Sequence, residues 1–220
     1  MTKQATEGQA LDMAEHERLW LTGTGAKMMG ALGIGKGASV IDFGCGKGRY
    51  TIPLSQAVGG EGRVLAVERN GAEIDMLRRR MTAFRCGGKI EILSEDDMEL
   101  RAADDHTVDA LLAFDVLQFV DDWTRLFCAI RRVLKPDGRL HVYPASLPHP
   151  GAVELERLRS VLRETGLQCE QVRGFRMMHN KDMVDDQVYT FQHANIDDAE
   201  QAKSKSANAS PMRNRCAFPL

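Results

Sequence analysis

The chain has 220 residues and a mass of 24.4 kDa, room for one domain with decoration or two very small ones. Lys and Arg number 29 against 31 Asp and Glu, a formal net charge of −2 that argues against a dedicated nucleic-acid binder, which would carry a strong basic excess. Hydrophobic residues at 43% and charged residues at 27% are typical of ordinary globular proteins. The strongly apolar runs, such as Ala110 to Phe114, are too short to span a bilayer.

In chain order, residues 1 to about 10 read as a polar arm with no apolar stretch of the kind a secretion signal carries, so a cytoplasmic location is expected. An amphipathic helix follows, with Leu11, Ala14, Arg18 and Leu21 on one side and Trp20 near its end. Ser39 to Phe43 is a short apolar run ending in a Gly-rich turn, the pattern of a buried strand. Lys47 to Val58 reads as a helix in which Pro53 is awkward unless it falls in the first turn or the helix is kinked, and Arg63 to Glu68 as the second strand. Asn70 can cap a helix that puts Ile74, Leu77, Met81 and Phe84 on one face. Lys89 to Leu93 is a third strand, and Val108 to Phe114 a fourth, apolar on both faces as at the centre of a parallel sheet. Asp121 or Asp122 caps a helix burying Trp123, Leu126, Phe127, Ile130 and Leu134. Pro136-Asp137-Gly138 turns the chain into strand five, Arg139 to Tyr143, and Gly151 to Thr165 forms the last helix. Leu167 to Phe175 and Gln187 to His193 read as an antiparallel hairpin, because the segment between them is too short for a crossover helix.

This alternation predicts an α/β fold: a doubly wound, seven-stranded, mostly parallel sheet with a C-terminal antiparallel hairpin and helices on both faces. Residues 1–35 form the arm and first helix, and 36–196 the domain. Residues 197–220, rich in Ala, Ser, Lys and Asn, form a tail too polar to fold alone. The five cysteines, Cys45, Cys86, Cys128, Cys169 and Cys216, are scattered with no spacing suited to zinc, so reduced thiols and no metal are expected.

The chemistry concentrates in Asp42-Phe43-Gly44-Cys45-Gly46-Lys47-Gly48, directly after a strand. A dinucleotide fingerprint would need Gly at the position of Arg49, and a P-loop would need Ser or Thr where Gly48 stands. An acidic residue followed by three alternating glycines resembles motif I of the class I S-adenosylmethionine-dependent methyltransferases. An acid suits the ammonium group of that cofactor, whereas a phosphate would be repelled. Glu68, ending the second strand, stands where the resemblance implies a carboxylate on the ribose hydroxyls. Ser94 to Met98 holds two candidates for the adenine amino group, Asp96 by its spacing to Leu100 and Asp97 by its spacing to Asp109. Arg131 to Leu140 looks like the family's approach to strand five.

The resemblance covers roughly residues 36 to 145. It implies S-adenosyl-L-methionine as cofactor, S-adenosyl-L-homocysteine as product, and a cofactor set of Asp42, Gly44, Cys45, Gly46, Gly48, Glu68, Arg69, Asp96, Asp97, Met98 and Phe114. The N-terminal helix resembles the lid helices of related enzymes. The Asn/Asp-Pro-Pro-Tyr motif is absent at Ala113-Phe114-Asp115-Val116. The Asp-Asn pair of metal-dependent catechol-type enzymes is absent after strand five, and the lysine/acid tetrad of ribose methylation is not found. The remaining likeness is to the type 11 small-molecule group, which implies in-line methyl transfer to a small-molecule acceptor without metal, and no nucleic-acid partner. The alternative is a non-catalytic module of the same fold acting through a protein partner. An NAD-linked oxidoreductase is disfavoured by Arg49. If the acceptor must lose a proton, His149, stiffened between Pro148 and Pro150, and His179, in the hairpin loop, are the candidate bases.

Overall fold

The computed structural model describes residues 13–84, 86–93, 100–144 and 152–194, with the backbone alone for 152–156. The strands are β1 Ser39–Phe43, β2 Arg63–Val67, β3 Lys89–Leu93, β4 Val108–Phe114, β5 Leu134–Tyr143, β6 Leu167–His179 and β7 Asp182–His193. They form one seven-stranded sheet in the order β3-β2-β1-β4-β5-β7-β6. The pairs β3-β2, β2-β1, β1-β4 and β4-β5 are parallel, while β7 runs antiparallel to both β5 and β6. The expected doubly wound, mostly parallel sheet with its terminal hairpin is therefore observed.

The helices are α1 Glu15–Leu19, α2 Gly25–Ala31, α3 Thr51–Val58, α4 Gly71–Ala83, α5 Trp123–Val133 and α6 Ala152–Glu164. None among the described residues is long and apolar enough to cross a membrane. A π-helical turn, Trp20–Thr24, joins α1 to α2, so the N-terminal segment is two short helices rather than one. Asn70 caps α4, its Oδ1 accepting from Ala72 N–H at 3.0 Å, and Asp122 caps α5 through Arg125 N–H at 2.9 Å. Pro53 is the third residue of α3, where its missing N–H has no intrahelical partner to lose.

Strand alternation sorts the core into two layers. Ile41, Leu65, Leu111 and Val142 face one side and pack against Phe127 and Ile130 of α5 and Leu158 and Leu162 of α6. Val40, Val64, Ala66 and Leu112 face the other and pack against Ile52, Leu54, Leu77 and the N-terminal Trp20, Leu21 and Met29. The N-terminal helices are thus built into the core. A buried ion pair, Glu17 to Arg80 at 2.5 Å, fastens α1 to α4.

Helix α3 begins at Thr51 rather than Lys47, and three strands also depart from the sequence expectation. The expected Pro136-Asp137-Gly138 turn lies within β5, as a bulge where the register jumps from Val108–Leu134 to Ala110–Arg139. A Cβ on Gly138 would stand 2.8 Å from Val108 O, so glycine lets the strands close around the bulge. The expected hairpin loop from Arg176 to Asp186 is mostly ladder: β6 and β7 stay paired out to His179–Asp182, leaving Asn180 and Lys181 as the turn. Cys45, Cys86 and Cys128 are free thiols. Cys169 is disulfide-bonded, against the expectation of reduced cysteines, and Cys216 lies outside the described residues.

Candidate functional site

The carboxyl ends of β1, β2, β4, β5 and β6 converge on one open cleft of about 420 Å³. One wall is the loop leaving β1. Gly44, Gly46 and Gly48 all take positive φ (73°, 51° and 81°), but for different reasons. A Cβ on Gly44 would lie 2.2 Å from Val116 Cγ2, and one on Gly48 2.4 Å from Leu77 Cδ1, so these two glycines serve packing. A Cβ on Gly46 would meet nothing nearer than Glu73 Oε2 at 3.6 Å, and Gly46 lines the cleft. Its bare backbone is the face open to a ligand.

Glu68, at the end of β2, ties that loop down. Its Oε2 accepts from Gly46 N–H at 2.9 Å, and its Oε1 from Arg69 N–H at 2.9 Å and Asn70 N–H at 2.8 Å. A carboxylate has about four acceptor positions, so one remains, on Oε2. This modifies the expectation of a carboxylate serving both ribose hydroxyls, because most of its capacity already organises backbone.

Asp42 does not line the cleft. Period-two alternation turns it toward α3, where it is 3% exposed and accepts from Thr51 Oγ1 at 2.6 Å. Burial, with Glu68 adding to it against the Thr51 hydrogen bond, pushes its carboxyl up to about 7. Asp42 therefore sits behind the loop, and it is Glu68, Glu73 and Asp115 that present carboxylates to the cleft. Cys45 lines the cleft, but burial and the nearby carboxylates of Asp42 and Glu68 push its thiol far up, so it stays protonated. Arg69 and Phe114 line the cleft, and Gly48 does not. Asp96, Asp97, Met98 and His149 lie outside the described residues.

The opposite wall is aromatic. Trp20, Tyr50, Phe114, Tyr143 and His179 form a chain of edge-on ring contacts with centroid spacings of 5.5, 4.8, 6.0 and 5.7 Å. Trp20 Nε1 donates to Arg49 O at 2.7 Å, and buried Tyr50 donates its hydroxyl to Met178 O at 2.6 Å, so the chain spans from the glycine loop to the end of β6. Tyr143 donates to Asp186 at 3.2 Å, and burial with the neighbouring carboxylates of Asp186 and Asp115 raises its phenol well above the ordinary value.

His179 reaches the cleft from the end of a strand rather than from an unrestrained loop. Its Nδ1 lies 3.4 Å from Asp115 Oδ2. Asp115 follows β4 directly, at φ 54°, and its N–H donates to Tyr143 O at 2.8 Å. Sequence reasoning missed Tyr50, Asp115, Tyr143 and Asn180. The usable signal was position: Asp115 and Tyr143 stand at the carboxyl ends of predicted strands, where a doubly wound sheet gathers its ligands.

The sequence model of a methyltransferase-domain family matches residues 41–142. A ubiquinone/menaquinone biosynthesis C-methyltransferase of Francisella philomiragia is 30% identical over 131 residues, covering 60% of this chain and 50% of that protein. The counterpart from Klebsiella pneumoniae is 32% identical over 116 residues, covering 53% and 46%. The chain thus spans about half the length of the curated relatives it matches. A SAM-dependent methyltransferase from Aquifex aeolicus superposes with a TM-score of 0.60 at 20% identity, over 80% of this chain and 92% of that one. The geranyl diphosphate C-methyltransferase of Streptomyces coelicolor, solved with Mg2+, geranyl diphosphate and S-adenosyl-L-homocysteine, superposes at 0.56 with 15% identity, over 77% and 79%.

Proposed function

We propose that this chain is a class I, S-adenosyl-L-methionine-dependent methyltransferase and that it moves a methyl group to a small-molecule acceptor held against the aromatic wall of the cleft, by direct in-line displacement and without a metal. The observation that carries this is the joining of Glu68 to Gly46 at the cleft floor: a strand-end carboxylate and a bare glycine backbone presented together to one cavity.

The residues fit the cofactor. Gly46 lets the chain approach it closely, the remaining acceptor position on Glu68 suits a ribose hydroxyl, and the mixed lining, carboxylates of Glu68, Glu73 and Asp115 beside the cations Lys47, Arg49 and Arg69, offers partners to both the ammonium and the carboxylate of a zwitterionic ligand. When bound, the cofactor supplies an activated methyl on sulfur. The chain's own part is to orient the acceptor and to exclude water, which Phe114, Val116, Phe119, Val120 and Met178 do as apolar surface. The relatives named for ubiquinone/menaquinone biosynthesis are C-methyltransferases by name, which favours a small organic acceptor here. Of the two expected bases, His179 lines the cleft, and His149 lies outside the described residues.

Titration calorimetry with S-adenosyl-L-homocysteine, followed by a screen of small metabolites with methyl-labelled cofactor, tests the reading. Micromolar binding and a labelled low-molecular-weight product are expected. Absence of binding to the folded protein removes it.

A further inference from the structure

We propose that Asp115 and His179 form a proton-accepting pair for an acceptor whose nucleophile is a phenol-type hydroxyl, with His179 as the base and Asp115 as its positioning residue. The proposal rests on the methyltransferase reading above and assigns the acceptor half of that site.

The hydrogen bonds around the ring define the pair. Asn180 Nδ2 donates to His179 Nε2 at 2.9 Å, so in the neutral ring Nε2 carries the lone pair and Nδ1 the proton. Nδ1 is buried, has no hydrogen-bond partner, and lies 3.4 Å from Asp115 Oδ2. Such a contact is long in the free protein and tightens when the ring gains charge. The carboxylate is aimed from its other side: Gln118 Nε2 donates to Asp115 Oδ1 at 3.2 Å and to Asp115 O at 2.9 Å, which leaves Oδ2 to the ring. The ring plane is set by an edge-on contact with Tyr143, at 5.7 Å and 86°. The turn beneath is held by His16 Nε2 donating to Lys181 O at 2.5 Å and by Tyr50 donating to Met178 O at 2.6 Å. Four elements therefore fix one imidazole that lines the cleft, its Nε2 lone pair taken by the Asn180 amide, which an acceptor's O–H would displace.

Among the described residues that line the cleft, Tyr143 and Cys45 do not take this role. Tyr143 keeps its proton and donates it to Asp186, and Cys45 stays a thiol. The charged and titratable groups around His179 are Asp115 after β4, Tyr143 on β5, Asp182 and Asp186 on β7, Lys181 in the turn and His16 on α1.

An imidazole takes a proton far more readily from a phenol-like hydroxyl, whose pKa is near 10, than from an aliphatic alcohol, whose oxygen holds its proton much more tightly. Phe119, 65% exposed at the cleft rim, together with Val116, Val120 and the rings of Phe114 and Tyr143, offers apolar and aromatic surface to a flat ring. In the step itself the acceptor's O–H proton passes to His179 Nε2. The freed oxygen pair forms the new C–O bond as the methyl's bond to sulfur breaks, its electrons staying on sulfur. The imidazolium then faces the Asp115 carboxylate until the proton leaves to water.

The test uses the full chain, H179N and D115N. Asparagine tolerates the positive φ of position 115, so D115N keeps the backbone. The probes are 2-naphthol as acceptor, cyclohexanol as its aliphatic control, and S-adenosyl-L-homocysteine binding. Wild type should methylate 2-naphthol and leave cyclohexanol untouched. H179N should lose about 100-fold or more in kcat with homocysteine-product affinity unchanged. D115N should lose about tenfold, with the acid limb of its kcat/KM profile moved to lower pH. Nitrogen-15 spectra should show the Nδ1–H tautomer of His179 in wild type and a mixture in D115N. Full turnover by H179N, an unmoved limb and tautomer in D115N, or methylation of cyclohexanol as fast as of 2-naphthol overturns the pair. Loss of S-adenosyl-L-homocysteine binding in wild type would instead overturn the underlying reading.

Discussion

The two walls of the cleft are built differently. The wall proposed for the cofactor is local: Asp42 through Tyr50 run continuously out of β1, and the partner that closes the loop, Glu68, ends the neighbouring parallel strand. The wall proposed for the acceptor is assembled at long range: Tyr50, Phe114 with Asp115, Tyr143 and His179 come from four places in the chain and meet because β4, β5 and β6 end at one edge. A wall made from contiguous backbone is rigid by conformation, whereas one made from side chains on separate elements depends on each anchoring hydrogen bond. Substitutions in the first should act steeply and together; those in the second should act in graded, separable ways.

The steepest contrast lies within the glycine loop itself. Gly44→Val would drive a branched side chain into Val116 at a positive φ, so loss of folding is expected, seen as an absent or strongly lowered thermal transition. Gly46→Val also strains the backbone, at a cost of about 1–2 kcal/mol, but its side chain enters the open cleft. A folded protein with S-adenosyl-L-homocysteine affinity lowered at least about 100-fold is expected. Equal destabilisation by both variants would show that Gly46, too, serves packing.

Glu68→Gln comes next. The amide must turn its NH2 toward either Gly46 N–H or the Arg69 and Asn70 N–H pair, setting donors against donors. Cofactor-product affinity should fall about 10- to 100-fold, and the charge-assisted bonds lost should also lower stability by about 1.5–3 kcal/mol. Affinity lost at constant melting temperature would mean that Glu68 only touches ligand and does not organise the loop.

Each wall also has a buried titratable residue beneath it, and the two have opposite signs. Asp42 keeps its proton up to about 7, against an ordinary aspartate value of 3.8. Its contribution is present below 3.8 and is lost as pH rises toward 7 and beyond, because there the unfolded chain ionises first. Asp42→Asn should therefore raise stability at pH 8 by about 1–3 kcal/mol, net of the amide's own unpaired N–H groups. His141, under the acceptor wall on β5, is fully buried with Thr190 Oγ1 at 3.0 Å as partner, and burial, aided by Arg139, pushes its pKa down to about 4. Its neutral form is favoured in the fold, so stability is complete above 6.5 and is lost as pH falls through 4. His141→Gln should flatten the acid side of the stability profile by about 1–3 kcal/mol relative to wild type. Denaturant melts from pH 4 to 8 on the three proteins measure both signs.

The difference between the walls also explains what could be read in advance. Strand periodicity placed β1, β3 and β4 to the residue, and the spacing of three glycines after an acid located the loop, because both are features of contiguous chain. The reading erred where a distant partner decides. Asp42 was expected at the ligand, yet alternation turns it toward Thr51 of α3. His179 was expected in a loop, because nothing in Arg176 to Asp186 announces that β6 and β7 continue pairing through it. Asp115 carried no motif at all; its meaning depends on the ring of His179, 64 residues onward in the numbering.

Tyr50 is where the walls join, and it gives the smallest but most discriminating effect. It ends the glycine loop in sequence, yet its hydroxyl holds Met178 O, one residue before His179. Tyr50→Phe keeps the ring, and with it the edge-on contacts to Trp20 and Phe114, and removes only that bond. The Met178 carbonyl would be left unpaired in a buried place, costing about 1–3 kcal/mol, which falls first on the turn it anchors. If the walls are separable, amide exchange should speed up at Met178 to Asn180 and stay unchanged at Gly44 to Gly48, with S-adenosyl-L-homocysteine affinity within about twofold of wild type. Methyl transfer should fall by several-fold, because a loosened turn no longer holds the imidazole against Asp115. A parallel loss of product affinity and of protection in the glycine loop would show instead that one hydroxyl couples both walls into a single cooperative unit.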